Sequence, residues 1–213
     1  MPEPTFATPR AAYDRLLEGN ERFVSDVPEH PNQDASRRRA LASAQAPFAT
    51  LFGCADSRVA AEMIFDVGLG EMFVVRTAGQ VTDGVTIGSL EYGVEVLGTP
   101  LLIVLGHDSC GAVTAAVDSF ATGDTPGGFI ADVVAQLLPS VVRARGNGIA
   151  DVNGTVEQNT IDTVDLLYNR SRILRDAVDS GRLVMLGMTY HLGDGRVKVV
   201  AQTPADVPAA PAP

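Results

Sequence analysis

Short apolar runs rich in β-branched residues alternate along this chain with longer segments of helical spacing, and that alternation limits the fold more than any other feature. The runs 48–53, 72–75, 101–106 and 183–189 are apolar apart from Thr50 and Thr189, as strands buried on both faces are. Residues 196–201 read as a fifth strand, at an edge. Between the strands, segments 85–97, 111–121, 128–143 and 156–178 carry helical periodicity. Such alternation predicts an α/β fold with a mostly parallel central sheet and flanking helices, and 213 residues suit a single domain of this kind. Residues 1–47 are expected to form an N-terminal helical arm of that domain. Within it Thr8 precedes Pro9 as an N-cap precedes a proline at the first helical position, opening an amphipathic helix with Tyr13, Leu16, Leu17 and Phe23. Because this helix comes before the first strand, it is expected to lie against a neighbouring subunit. Residues 48–203 then make the α/β core. Residues 204–213, PADVPAAPAP, have little to bury and are expected to be poorly ordered.

The formal net charge of -10 argues against nucleic acid or anionic lipid as partners, since both are attracted by clustered Lys and Arg. The one dense basic cluster, Arg37-Arg38-Arg39, reads as a solvated helix face. No apolar run approaches the roughly 20 residues that span a bilayer, and the first residues do not resemble a secretory signal, so a cytoplasmic location is expected. Only two cysteines are present, which favours a metal or catalytic role over a disulfide framework.

Both cysteines fall where a predicted strand gives way to a loop or helix, in Cys54-Ala55-Asp56-Ser57-Arg58 and Gly106-His107-Asp108-Ser109-Cys110-Gly111. Open parallel sheets gather their ligand sites beyond the carboxyl ends of the strands, so the two segments are expected to meet there. In an extended stretch Cys54, Asp56 and Arg58 share one side. His107 and Cys110, three apart at a helix start, can reach one atom. Two thiolates and an imidazole suit zinc, and a catalytic zinc keeps three protein ligands and an open fourth position. Any one of these residues alone is more often an inert buried side chain. A Cys54–Cys110 disulfide is geometrically possible, but it leaves His107 and the Asp56/Arg58 pair unexplained. A nucleotide-binding module lacks support, because neither G-x-x-x-x-G-K-[ST] nor G-x-G-x-x-G follows the first strand.

The segment CADSR, followed 49 residues later by HDSC, resembles the paired C-x-D-x-R and H-x-x-C signature of β-carbonic anhydrases, and the similarity extends from about Gly19 to Gly195. The resemblance implies reversible hydration of carbon dioxide to bicarbonate and a proton by zinc-bound hydroxide. It implies one zinc per chain on Cys54, His107 and Cys110, and a homodimer or homotetramer. Asp56 and Arg58 become the pair beside the fourth coordination position, with Asp56 itself a fourth ligand in a closed state. Gln45, Phe73, Ala78 and Tyr92 match substrate-pocket positions, and Gly79 marks close backbone approach there. A relative acting on carbon disulfide would use the same ligands. His30 and His191 match no metal role and read as structural. Some family members hold bicarbonate in a second, inhibitory pocket whose tryptophan, arginine and tyrosine map to Leu51, Arg76 and Tyr190; this chain has no tryptophan, so the indole donor is missing.

Overall fold

A computed structural model describes residue 6 and residues 8–204. Five strands, β1 (Ala49–Cys54), β2 (Met72–Thr77), β3 (Leu101–His107), β4 (Val184–Tyr190) and β5 (Val197–Thr203), form one sheet in the order β2-β1-β3-β4-β5. The first four are parallel; β5 runs antiparallel to β4 at the edge, with an irregularity at Gly187/Met188. Every residue of β1, β3 and β4 is buried, which is why these segments are predominantly apolar in sequence.

Alternate residues of these strands feed two cores. Leu51, Ile103, Leu105 and Leu186 face α1 (Pro9–Val24) together with Ile64 and Phe65. Phe52, Leu102, Val104 and Met185 face α4 (Gly84–Glu91), α7 (Val152–Arg170) and α8 (Arg172–Asp179). A third cluster, at the carboxyl end of the sheet, joins Cys54 and Cys110 to apolar residues of α5 (Gly111–Thr122) and α6 (Ile130–Gly146). Two short helices, α2 (Ala35–Ala40) and α3 (Ala61–Ile64), complete the set; α2 carries Arg37-Arg38-Arg39 and buries nothing, the solvated face its charge implies. Gly106 lets α7 lie directly on β3, since a Cβ there would fall 2.3 Å from Thr160 Oγ1. Among the described residues no helix is long and apolar enough to cross a membrane.

Three expectations are corrected. The segment 156–178 is two helices: Ser171 takes an extended conformation, its hydroxyl accepts the Leu174 N–H at 3.1 Å and donates to Glu91 Oε1 at 2.6 Å, so it caps α8 and ends α7. The helix expected over 85–97 stops at Glu91 and widens into one π turn over Tyr92–Val96, closed by Leu97 N–H on Tyr92 O. In α1 the Thr8 cap and Pro9 are as expected, but Leu16 is fully buried in its own chain's core, with Tyr13 and Phe23 packed beside it. Leu16 is therefore not available to a neighbouring subunit, whereas Tyr13, Leu17 and Phe23 remain partly exposed. Leu16→Ala should cost about 2–5 kcal/mol through the cavity it leaves. Urea unfolding at fixed protein concentration checks this, and a cost below about 1 kcal/mol would contradict the burial. The tail 204–213 lies, beyond Pro204, outside the described residues.

Candidate metal centre

Cys54 is the last residue of β1, paired in register with Thr77, the last residue of β2. His107 is the last residue of β3. Ser109 takes a left-handed backbone conformation, its N–H held by Asn153 Oδ1 at 2.9 Å, and this turn brings Cys110 back as the N-cap residue of α5. The three residues are buried, and one donor atom from each lies within 4.8 Å of the others. The sulfurs are free thiols 3.9 Å apart, well beyond the ~2.05 Å of a disulfide.

His107 is oriented by its own loop, with Nδ1 2.8 Å from Asp108 O. That bond places the ring proton on Nδ1 and leaves Nε2 as a lone-pair donor. Nε2 is buried and has no hydrogen-bond partner, one of only two such side-chain atoms among the described residues. Two sulfurs this close cannot both carry full charge without a cation: the hydrogen bond from Cys110 holds Cys54 far below the usual thiol range, helped by the Gly79 N–H at 3.3 Å, and the same bond together with burial pushes Cys110 up. A cation between the sulfurs would let both ionise. A soft donor set, an unpartnered imidazole nitrogen and coupled thiols together fit zinc.

Asp56 and Arg58 form the second half of the site. Asp56 Oδ1 accepts from Arg58 Nε and from the Arg58 backbone N–H, each at 2.9 Å, and Oδ2 accepts from Nη2 at 2.8 Å. These bonds, led by the guanidinium, hold the Asp56 carboxyl well below the ordinary carboxylate range. Oδ2 lies 3.9 Å from His107 Nε2, so the carboxylate borders the same space as the three donors. Arg58 Nη2 also reaches Ser109 O at 3.3 Å and so bridges the two ligand-bearing loops.

Arg76 has a role that sequence reasoning assigned elsewhere. Its Nε donates to Cys54 O at 2.8 Å and its Nη2 to Asp56 O at 2.6 Å, fixing the backbone on which the ligand and the acid sit. Leu51 and Tyr190, the other positions that map to the inhibitory pocket of some family members, belong to the core on the α1 face. Asn153 was also missed, and nothing in a polar helical segment marks it beforehand.

Gly79 reaches the centre, since its N–H points at Cys54 Sγ, and Ala78 begins the same turn. Phe73 and Tyr92 pack against each other as a tilted pair, with ring centroids 6.0 Å apart. They do not reach this centre within one chain: Phe73 pairs with Thr50, four residues before Cys54, about 13 Å along the strand. Gln45 is exposed on the segment before β1. His30 donates its backbone N–H to Asp66, and His191 Nδ1 lies 3.7 Å from Asp108 Oδ2; neither belongs to the donor cluster.

Residues 49–197 match the family described as carbonic anhydrase. The chain is 51% identical over 188 residues, 88% of its length and 91% of the relative's, to carbonic anhydrase 2 of Mycobacterium tuberculosis. It is 48% identical over 193 residues to a carbonic anhydrase of Mycolicibacterium smegmatis, covering 91% of this chain and 94% of that one. The Coccomyxa β-carbonic anhydrase solved with acetazolamide superposes with a TM-score of 0.67 at 27% identity, over 86% of this chain and 84% of that one. A tetrameric β-carbonic anhydrase of Sordaria macrospora shares the fold, with a TM-score of 0.71 at 22% identity over 90% of this chain and 98% of that one. With the family match spanning the four parallel strands and both ligand loops, this chain belongs to the carbonic anhydrase family, in its β class.

Proposed function

We propose that this enzyme hydrates carbon dioxide reversibly to bicarbonate and a proton at one zinc ion per chain, held by Cys54, His107 and Cys110. The observation that carries the reading is the unpartnered, buried His107 Nε2 among two sulfurs and a carboxylate already locked by Arg58. Zinc at such a position supplies Lewis-acid activation of a water molecule. Two thiolates offset the ion's formal charge, so this activation is weaker than among three imidazoles and the working range is more alkaline.

The chain's own residues set direction and geometry. Asp56, kept ionised by Arg58, accepts a hydrogen bond from the proton on the attacking oxygen and so turns a lone pair of that oxygen toward the carbon of carbon dioxide. Arg58 holds both carboxylate oxygens and leaves Oδ2 with a free lone pair on the side of His107. Asp56 is also close enough to turn to the metal as a fourth ligand, closing the site. Metal analysis coupled to a stopped-flow hydration assay tests the proposal; zinc-loaded protein that does not hydrate carbon dioxide would make the centre structural and overturn it.

Gln45, Phe73, Ala78, Gly79 and Tyr92 line the substrate pocket in this reading. Phe73 and Tyr92 do so from a second copy of the chain, since within one chain they stand a strand's length from the centre. Phe129, Ile130, Val85 and Val96 are exposed apolar residues suited to such an interface. Sedimentation at micromolar concentration should therefore give at least twice the 22.3 kDa chain mass. A lone 22.3 kDa species would refute assembly and this placement of the pocket.

A further inference from the structure

Helix α7 carries an unusual load of buried polar side chains, including Gln158, Asn159, Thr160 and Thr163. Two of them end at the turn that touches Cys54. Asn159 Nδ2 donates to Gly79 O at 3.2 Å, and Gln80 Nε2 donates to Thr160 Oγ1 at 3.1 Å. Gly79 and Gln80 both have positive φ, so the turn occupies a conformation that an unanchored chain visits rarely and that Gln80 adopts only under constraint. A Cβ on Gly79 would press on Ala112 and Leu137, so the turn is enclosed on its other side by α5 and α6.

The amide of Asn159 is itself oriented. Gly79 O can only accept, so Nδ2 must face it and Oδ1 must face away. Oδ1 meets the Ser140 hydroxyl at 3.2 Å, whose one hydrogen is shared with Asp162 Oδ2 at 2.8 Å. Asp162 is held in turn by Arg143 at 2.9 Å and by Gln158 at 2.9 Å. A chain of bonds thus runs from a surface arginine on α6 through Asp162, Ser140 and Asn159 to the Gly79 residue whose N–H meets Cys54 Sγ.

We infer that Asn159 is a positioning residue for the metal centre: by holding the Gly79 carbonyl it keeps the Gly79 N–H aimed at the Cys54 sulfur. An N–H bond to a thiolate withdraws charge from sulfur, so this contact sets how strongly Cys54 donates to a bound metal, and the fixed turn holds the sulfur in place. The inference rests on the Cys54/His107/Cys110 centre holding a metal.

Cobalt(II)-substituted protein reads the contact directly through its thiolate-to-cobalt charge-transfer band, and competition with a chelator gives the rate of zinc loss. In Asn159→Leu the band should move to longer wavelength, because sulfur deprived of the hydrogen bond gives up charge more easily, and zinc should leave about tenfold faster. Thr163→Val is the control for a merely structural role: it removes another buried hydroxyl of α7, which bonds Asn159 O at 2.7 Å and does not reach the turn. It should leave band and rate unchanged. If Asn159→Leu does not fold, Ser140→Ala, which removes the group orienting the amide, should shift the band in the same direction by less. A band unmoved in the variant measured, or moved equally by Thr163→Val, overturns the inference. A wild-type protein without any thiolate–cobalt band fails the metal reading instead, so the two failures are distinguishable.

Discussion

Cys110→Ser should strip the protein of zinc and of carbon dioxide hydration together. Serine nearly matches the thiol in size, but its hydroxyl does not ionise to a ligand near neutrality, and two remaining donors make a poor tetrahedral site. Cys110 is almost wholly buried at the head of α5, so the fold should survive at a cost of about 1–2 kcal/mol for the hydroxyl it takes inside. After dialysis against a weak chelator, metal analysis should find almost no zinc, and hydration should fall on the order of 10³-fold or more. Full zinc occupancy in this variant would remove Cys110 from the ligand set.

Arg58→Ala separates the acid from the metal. The substitution removes both guanidinium bonds to Asp56 and the bond to Ser109 O, leaving Asp56 only the backbone N–H of residue 58. Zinc should remain at one per chain, while hydration should fall by about 10²-fold or more, because the freed carboxylate turns to the metal and closes the site. In the wild type Asp56 is ionised throughout pH 6–9, since its folded pKa lies well below the ordinary value, so its own titration does not shape activity in that range. On the proposed reading the pH dependence would come from competition between Asp56 and water for the fourth position of a bound zinc, which rising pH would tip toward water, so activity should climb toward about pH 8 and above. The sign for stability is opposite in window. A depressed carboxyl pKa stabilises the fold above the unfolded value and loses that contribution as pH falls through the folded one, so the variant should lose less stability than the wild type below about pH 4. Equal activity from pH 6 to pH 9, or an active Arg58 variant, would remove the gate.

Much of this architecture was written in local sequence. The central strands β1, β3 and β4 announce themselves because both faces are covered and nearly every position is apolar, and the ligand loops stand where β1 and β3 end. The break at Ser171 was not legible, since serine inside a periodic segment is ordinary until Glu91, 80 residues away, is found beside its hydroxyl. Leu16 was read as part of a subunit contact because its partners, Ile64 and Phe65, follow a strand that the N-terminal helix precedes. Arg76, Asn153 and Asn159 were invisible as parts of the site for one shared reason: they act on backbone atoms, through Cys54 O, Ser109 N–H and Gly79 O, and backbone atoms leave no signature in a sequence. The placement of Phe73 and Tyr92 depends on strand register, which periodicity does not fix.

The strand order also has a bearing on how the donors come together in time. His107 and Cys110 are local partners, close in any chain that forms the turn at Ser109, whereas Cys54 stands 53 positions before His107 and meets it only when β1 docks beside β3, with the β2 and α4 connection folded out of the way. That pairing is a parallel, non-local contact of the slow-forming kind. An unfolded chain therefore offers an ion two donors from one turn, and the third arrives with the central step of sheet assembly. The donor set is consequently a product of the polypeptide's own folding and not the nucleus that drives it, the reverse of small zinc modules that collapse around their ion.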